Sequence, residues 1–116
     1  MNWHEVIDER NYEMDQVIAD ILRQDPSKLD LAVQWMDKFL ADPNYSIHSK
    51  DALGEWRDLI RRRGVEGVLE VLCDRGEEAT RMRQSSPFAV LMPQDKRKEI
   101  LCRYEARRPR THPAGV

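Results

Sequence analysis

The side chains of this chain that are best suited to chemistry are scattered along it. The candidate nucleophiles and bases are Cys73 and Cys102, Ser85 and Ser86, and the histidines His4, His48 and His112. Hydrophobic spacing puts Cys73 near a helix end, beside Asp74, where the negative pole of the helix dipole opposes a thiolate. Ser85 and Ser86 lack the glycine-flanked elbow that exposes a hydrolase serine, and no glycine-rich loop is available to cradle a phosphate. None of the histidines has a second His, Cys or carboxylate at a recognised ligand spacing. Glu77-Glu78 and Asp8-Glu9 are adjacent carboxylates, but neighbours on a helix point in different directions and do not form an acid/base pair. The expectation is a chain that is not an enzyme and carries no cofactor or metal. A site assembled from distant residues, which leaves no local motif, is the alternative.

Binding is better represented than catalysis. Arg83-Gln84-Ser85-Ser86-Pro87-Phe88-Ala89-Val90-Leu91-Met92-Pro93 holds five consecutive apolar residues between two prolines, flanked by strongly charged segments. Five in a row follow no helical stripe and cannot all face inward. Proline lacks an N–H and pushes the residue before it toward extended backbone, so Phe88 to Met92 is expected as an irregular or extended linker. An extended segment followed by an amphipathic helix is a recurrent way of gripping another protein. Alternatively, Phe88, Val90 and Leu91 tuck back and fasten the last helix to the body. Burial of Phe88 or Leu91 contributes roughly 1.5–3 kcal/mol in either setting, so energy does not separate the two.

Charge is polarised along the chain. Residues 1–50 carry net −5, residues 51–95 net −2 and residues 96–116 net +5, for a total of −2. The pattern suggests an acidic helical body with a basic C-terminal extension. Lys96, Arg97, Lys98, Arg103, Arg107, Arg108 and Arg110 offer phosphate contacts, although only Tyr104 interleaves with them and the acidic body repels a polyanion. Arg61, Arg62 and Arg63 are a second candidate DNA-binding group; as the last turn of a helix they also complement its dipole.

The elements that must position these residues are helices. Charged residues make up 34% and hydrophobic residues 41%, with only 5 Gly, which suits an all-α chain. Val6, Ile7, Met14, Val17, Ile18, Ile21 and Leu22 fall at three- and four-residue steps on a first helix from Trp3 to Gln24, with acidic residues expected on its other face. Asp25-Pro26 restarts the chain as a second helix to about Ala41, and Asp42-Pro43-Asn44 stops it. Ser49 is the expected cap of a third helix ending at Arg61-Arg62-Arg63 and Gly64. A fourth carries Val65, Val68, Leu69 and Leu72, a polar fifth runs from Glu77 to Gln84, and Pro93 opens a last helix to about Arg107. A disordered tail is expected from Arg108 to Val116.

The expected architecture is therefore a compact bundle of four to five helices over residues 1–84. Residues 85–116 follow as a proline-bracketed linker, an amphipathic helix and a basic tail. The longest apolar run is far short of the ~20 residues that cross a bilayer, and the N-terminus lacks a basic start and apolar block, so a cytoplasmic protein with no membrane partner is expected.

Two segments carry a resemblance. Val17-Ile18-Ala19-Asp20-Ile21-Leu22-Arg23-Gln24-Asp25-Pro26, with Leu29 and Ala32, is one. Arg83-Gln84-Ser85-Ser86-Pro87-Phe88, followed by Leu91, Pro93, Arg97, Ile100, Leu101 and Tyr104, is the other. Together they resemble small bacterial helical proteins that look like the antitoxin-type partners encoded beside nucleotidyltransferase-like toxins. Ala89-Val90 stands where that pattern has a glycine, and Lys98 where an aromatic residue is common. The resemblance implies an antitoxin that neutralises a toxin by occluding its active site. The expected partner-binding residues are Arg83, Gln84, Ser85, Ser86, Pro87, Phe88, Val90, Leu91, Arg97, Arg103, Tyr104 and Arg107. A DNA-binding transcriptional regulator, with operator DNA as partner, and a small structural or adaptor protein are the alternatives.

Overall fold

A computed structural model of the chain describes residues 2–108. Among them are five α-helices and no strand: α1 (Trp3–Gln24), α2 (Leu29–Leu40), α3 (Ile47–Cys73), α4 (Glu77–Arg83) and α5 (Gln94–Glu105). No helix is long and apolar enough to cross a membrane. The tail expected from Arg108 onward lies outside the described residues except for Arg108 itself.

Local chemistry sets the boundaries. Asn2 opens α1 by accepting the Glu5 backbone N–H on its side-chain oxygen at 2.9 Å. Asp25 does the same for Ser27 at 3.2 Å, and Pro26 begins a single 3-10 turn, Pro26–Lys28, that runs directly into α2. The expected cap at Ser49 is corrected. Helix α3 starts at Ile47, Lys50 donates its backbone N–H to the Ser46 carbonyl at 2.9 Å, and Ser49 lies inside the first turn.

The expected third and fourth helices form one run kinked at Gly64, where φ is +60° and ψ −150°. That backbone region is essentially confined to glycine. A β-carbon at Gly64 would meet nothing within 4 Å, so the requirement is conformational and not steric. Three residues on, at Gly67, a β-carbon would sit 2.6 Å from Cβ of Arg63 and 3.2 Å from Cδ1 of Leu59, so the chain closes tightly around the kink.

The main core gathers Ile18, Ala19 and Leu22 of α1, Leu29, Ala32 and Met36 of α2, Leu53, Trp56, Leu59, Val68 and Leu72 of α3, and Phe88 and Met92. The last two correct the expected extended linker. Phe88–Leu91 is a 3-10 turn, and it divides the apolar run between two sides: Phe88 and Met92, four apart, point inward, while Ala89 and Val90 face solvent. Phe88 is fully buried edge-on to Trp56, with ring centroids 5.1 Å apart. A second small cluster, Val6 with Ile100 and Tyr104, docks α5 along the first half of α1. The expected arm therefore lies against the bundle from Phe88 to Tyr104.

Candidate functional site

The carbonyls at the end of α3 organise the site. A helix leaves its last four C=O groups without helical partners. Here side chains from two other helices supply the donors. The Tyr12 hydroxyl donates to the Cys73 carbonyl at 3.0 Å and the Gln16 amide to that of Leu72 at 2.7 Å. Nη1 of Arg83 donates to Val71 at 3.3 Å and also to Asp74. Helix α4, too short to bury much itself, is thereby tied to α3 by its last residue. A second tie comes from the Trp56 indole N–H, which donates to the Met82 carbonyl at 3.0 Å.

Arg83 also meets Asp15, the one buried charged residue among the described residues. Nε of Arg83 lies 3.3 Å from Oδ2 of Asp15, and the two side chains keep only 9% and 10% of their exposure. Asp15 occupies a position of the α1 stripe, three residues before Ile18 and seven before Leu22, where an apolar residue is the rule. Burial drives its carboxyl from the ordinary 3.8 up to about 7, and the Arg83 charge offsets only part of that. The expectation that acidic residues fill the far face of α1 is corrected at this position.

The expected partner-binding residues divide into two groups. Phe88 and Pro87 are buried, Leu91 is half-buried against the core, and Arg83 is spent on Asp15 and the α3 carbonyls. Arg103 grips both oxygens of Glu13 at 2.9 and 2.6 Å, and the Tyr104 hydroxyl donates to the same carboxylate at 2.8 Å. Those contacts hold the Glu13 carboxyl below its usual value, the Arg103 hydrogen bond most of all. The Arg107 guanidinium stacks 4.8 Å over the Tyr104 ring. Phe88 and Tyr104 are thus buried, and the half-buried Arg83 is taken up by internal contacts. Gln84, Ser85, Val90 and Arg97 face solvent, and Ser86 is half-buried.

These outward residues border clefts. One, of about 230 Å³, has Met14, Ile18, Ala89 and Met92 on its walls with Asn11, Gln84, Ser86 and Arg97 around them. A neighbour of about 190 Å³ shares Asn11, Asp15, Arg83 and Gln84 with it, so the two form one trough beside α1. A broader hollow of about 480 Å³ lies across the segment, lined by Trp35, Tyr45, His48, Ser85 and Pro87, with Gln84 and Ser86 as the border it shares with the trough. Trp35, Phe39 and Tyr45 stack in sequence there at 4.3 and 4.9 Å. Gln84-Ser85-Ser86 is thus a polar ridge between two hollows, held from below. The Ser85 and Ser86 backbone N–H groups donate to Met82 and Arg83 at 3.1 Å each, and Phe88 donates to the Ser86 hydroxyl oxygen at 3.3 Å.

Of the candidate DNA-binding trio, Arg61 pairs with Asp58 and Arg63 with Glu70, each at 2.7 Å, and Arg62 is exposed. Asn11, Met14 and Asp15 escaped the sequence reading of the site. Their signal was weak: 11, 14, 15 and 18 share one face of α1, and two of the four are polar. Among the described residues no group of three or more His, Cys, Asp or Glu is placed to hold a metal ion. The outward groups are the Gln84 amide, the Ser85 hydroxyl, the Arg97 guanidinium and the apolar Val90. Compared with family models, with curated proteins and with solved structures, the chain matches none of them.

Proposed function

We propose that this chain is a protein-binding module that works as an antitoxin, neutralising a partner toxin by covering its active site. The observation that carries the proposal is the Gln84-Ser85-Ser86 ridge, exposed polar backbone and side chain fixed between two hollows by Arg83 beneath and Phe88 behind. A surface held this rigidly binds without a large ordering cost. Phe88 serves this mechanism from inside the core, by setting the height of the ridge, and the contacts with the toxin fall to Gln84, Ser85, Ser86, Val90 and Arg97. The resemblance of the Arg83-to-Phe88 segment supports a bacterial cytoplasmic setting and a nucleotidyltransferase-like toxin as the partner.

The DNA-binding reading has less support, because Arg61 and Arg63 already share their charge with Asp58 and Glu70. A pull-down with the tagged full chain from its source cells, with nuclease added, tests the proposal. One small protein retained at equal stoichiometry, whose expression arrests growth and whose co-expression with this chain restores it, is the expected result. Retention of nucleic acid alone, or a retained protein with no effect on growth, refutes the antitoxin function.

A further inference from the structure

The arginines that line clefts differ in one respect. Arg75 is ion-paired to Glu9, Arg81 to Glu55 and Glu78, and Arg83 to Asp15. The backbone N–H of Arg97, on the first turn of α5, donates to the Pro93 carbonyl at 3.0 Å, but its guanidinium has no hydrogen-bond or ion-pair partner among the described residues, and Arg97 lines the 230 Å³ half of the trough. Donors without acceptors gather around it. The Gln84 side chain makes no hydrogen bond among the described residues, and the Asn11 amide nitrogen donates to none of them. The Ser86 hydroxyl accepts from Phe88 and keeps its own proton to give. Beneath these donors lie the apolar Met14, Ile18, Ala89 and Met92, together with the paired Asp15 and Arg83.

A guanidinium and two or three neutral donors above an apolar floor call for a ligand that is acceptor-only at one end and apolar beside it. A carboxylate flanked by an aliphatic side chain answers both requirements. The trough is an open furrow and not an enclosed cavity, so the space suits one or two side chains of a chain that continues past it. Polyanionic nucleic acid is disfavoured there, since Asp8 lines the adjoining half and residues 1–50 are net negative.

We infer that the trough between α1, the Gln84–Ser86 ridge and Arg97 is the docking groove for an extended partner segment in which an Asp or Glu stands next to an apolar residue. The carboxylate pairs with Arg97 and takes hydrogen bonds from Asn11 and Gln84, and the apolar neighbour lies on Met14, Ile18 and Met92. This inference rests on the protein-binding proposal and adds to it the chemistry of the partner.

The test is selection of a displayed random-heptapeptide library on the full chain, on an Arg97→Glu chain and on an Ala89→Trp chain, with circular dichroism to show that all three fold. Arg97 and Ala89 are exposed, so both replacements leave the core untouched. The wild type should enrich peptides with an apolar residue beside Asp or Glu. Arg97→Glu should bind those peptides at least about tenfold more weakly and enrich Lys or Arg in place of the acid, and Ala89→Trp should lose them by filling the floor. No enriched peptide, enrichment without an acidic residue, or the same peptides on Arg97→Glu overturns the groove. If the Arg97→Glu and Ala89→Trp chains capture and neutralise the toxin as the wild type does, the groove assignment fails while protein binding stands. If the wild-type chain neutralises nothing, the proposal beneath it fails.

Discussion

In an Asp15→Asn variant, the stability difference from the wild type should change with pH in the sense opposite to that of an ordinary paired carboxylate. Burial raises the Asp15 carboxyl from 3.8 to about 7, and the Arg83 charge recovers only part of the shift. Between those two values the folded chain keeps a proton on Asp15 that the unfolded chain has released. Folding is therefore favoured by acid: the contribution is fully present below about pH 3.8 and is lost as pH rises to about 7, at no more than about 1.4 kcal/mol per unit. Over roughly three units the loss comes to about 4 kcal/mol. Asparagine keeps the shape and does not titrate. The stability of the wild type relative to the variant should fall by about that amount from pH 4 to pH 7 and level off above. Glu13, Glu55 and Glu70, whose values are lowered by Arg103, Arg81 and Arg63, act in the other direction but are present in both chains and cancel in the difference. Urea unfolding followed by far-ultraviolet circular dichroism at half-unit steps from pH 4 to pH 8 reads it directly. A flat difference refutes the buried neutral carboxyl, and one that moves in the wild type's favour as pH rises shows that Arg83 holds Asp15 ionised.

Phe88→Ala should cost about 3–5 kcal/mol in urea unfolding, the usual penalty for emptying a buried aromatic site; a loss under about 1 kcal/mol would remove Phe88 from the core. Arg83→Ala removes the donor to the Val71 and Asp74 carbonyls and the charge beside Asp15, so it should cost about 1–3 kcal/mol and raise Asp15 further, which a carbon-detected NMR titration measures. Gly64→Ala has room for its methyl group but not the backbone freedom, and about 1–3 kcal/mol of thermal stability should be lost. Gln84→Ala with Ser85→Ala should leave stability within about 0.5 kcal/mol while weakening capture of the partner, since both side chains are exposed and hold nothing in place. Equal loss of stability and capture would show the ridge to be structural.

The helical elements were legible because they depend on short-range chemistry. The helix Trp3–Gln24 was readable from its stripe and from Asp25-Pro26, since a proline after an acceptor side chain ends one helix and begins the next. The break at Gly64 was legible as a break but not as a kink, because only the observed φ of +60° distinguishes a helix that bends from two that part. Ser49 was misplaced as a cap because Ser46 and Ser49 offer the same side chain three residues apart, and which one opens the helix depends on where Leu53 and Trp56 must point. Asp15 was missed for the complementary reason. Its burial is set by Arg83, 68 positions away, and no local window contains both.

The Arg83-to-Met92 segment shows why a run of apolar residues is a poor guide to a binding surface when read alone. Its five apolar residues do divide between inside and outside, as their continuity requires, yet the largest go in: Phe88 and Met92 are buried and Ala89 and Val90 are left out. Burying Phe88 contributes roughly 1.5–3 kcal/mol at no cost in partner ordering, so a core position available on Trp56 fills before any partner arrives. What remains at the surface is Ala89 and Val90 beside the polar Gln84, Ser85 and Arg97, which shifts the proposed contacts from the large apolar residues toward polar ones. On the protein-binding proposal, Phe88 and Met92 fix the geometry and Gln84, Ser85, Ser86, Val90 and Arg97 make the contacts, so specificity rests largely on hydrogen bonds and the Arg97 guanidinium. Such a surface discriminates strongly against partners lacking the matching acceptors, because a donor left dry and unpaired costs about 1–3 kcal/mol. A module built in this way is expected to be selective for one partner, and to fail sharply when that partner's carboxylate is removed.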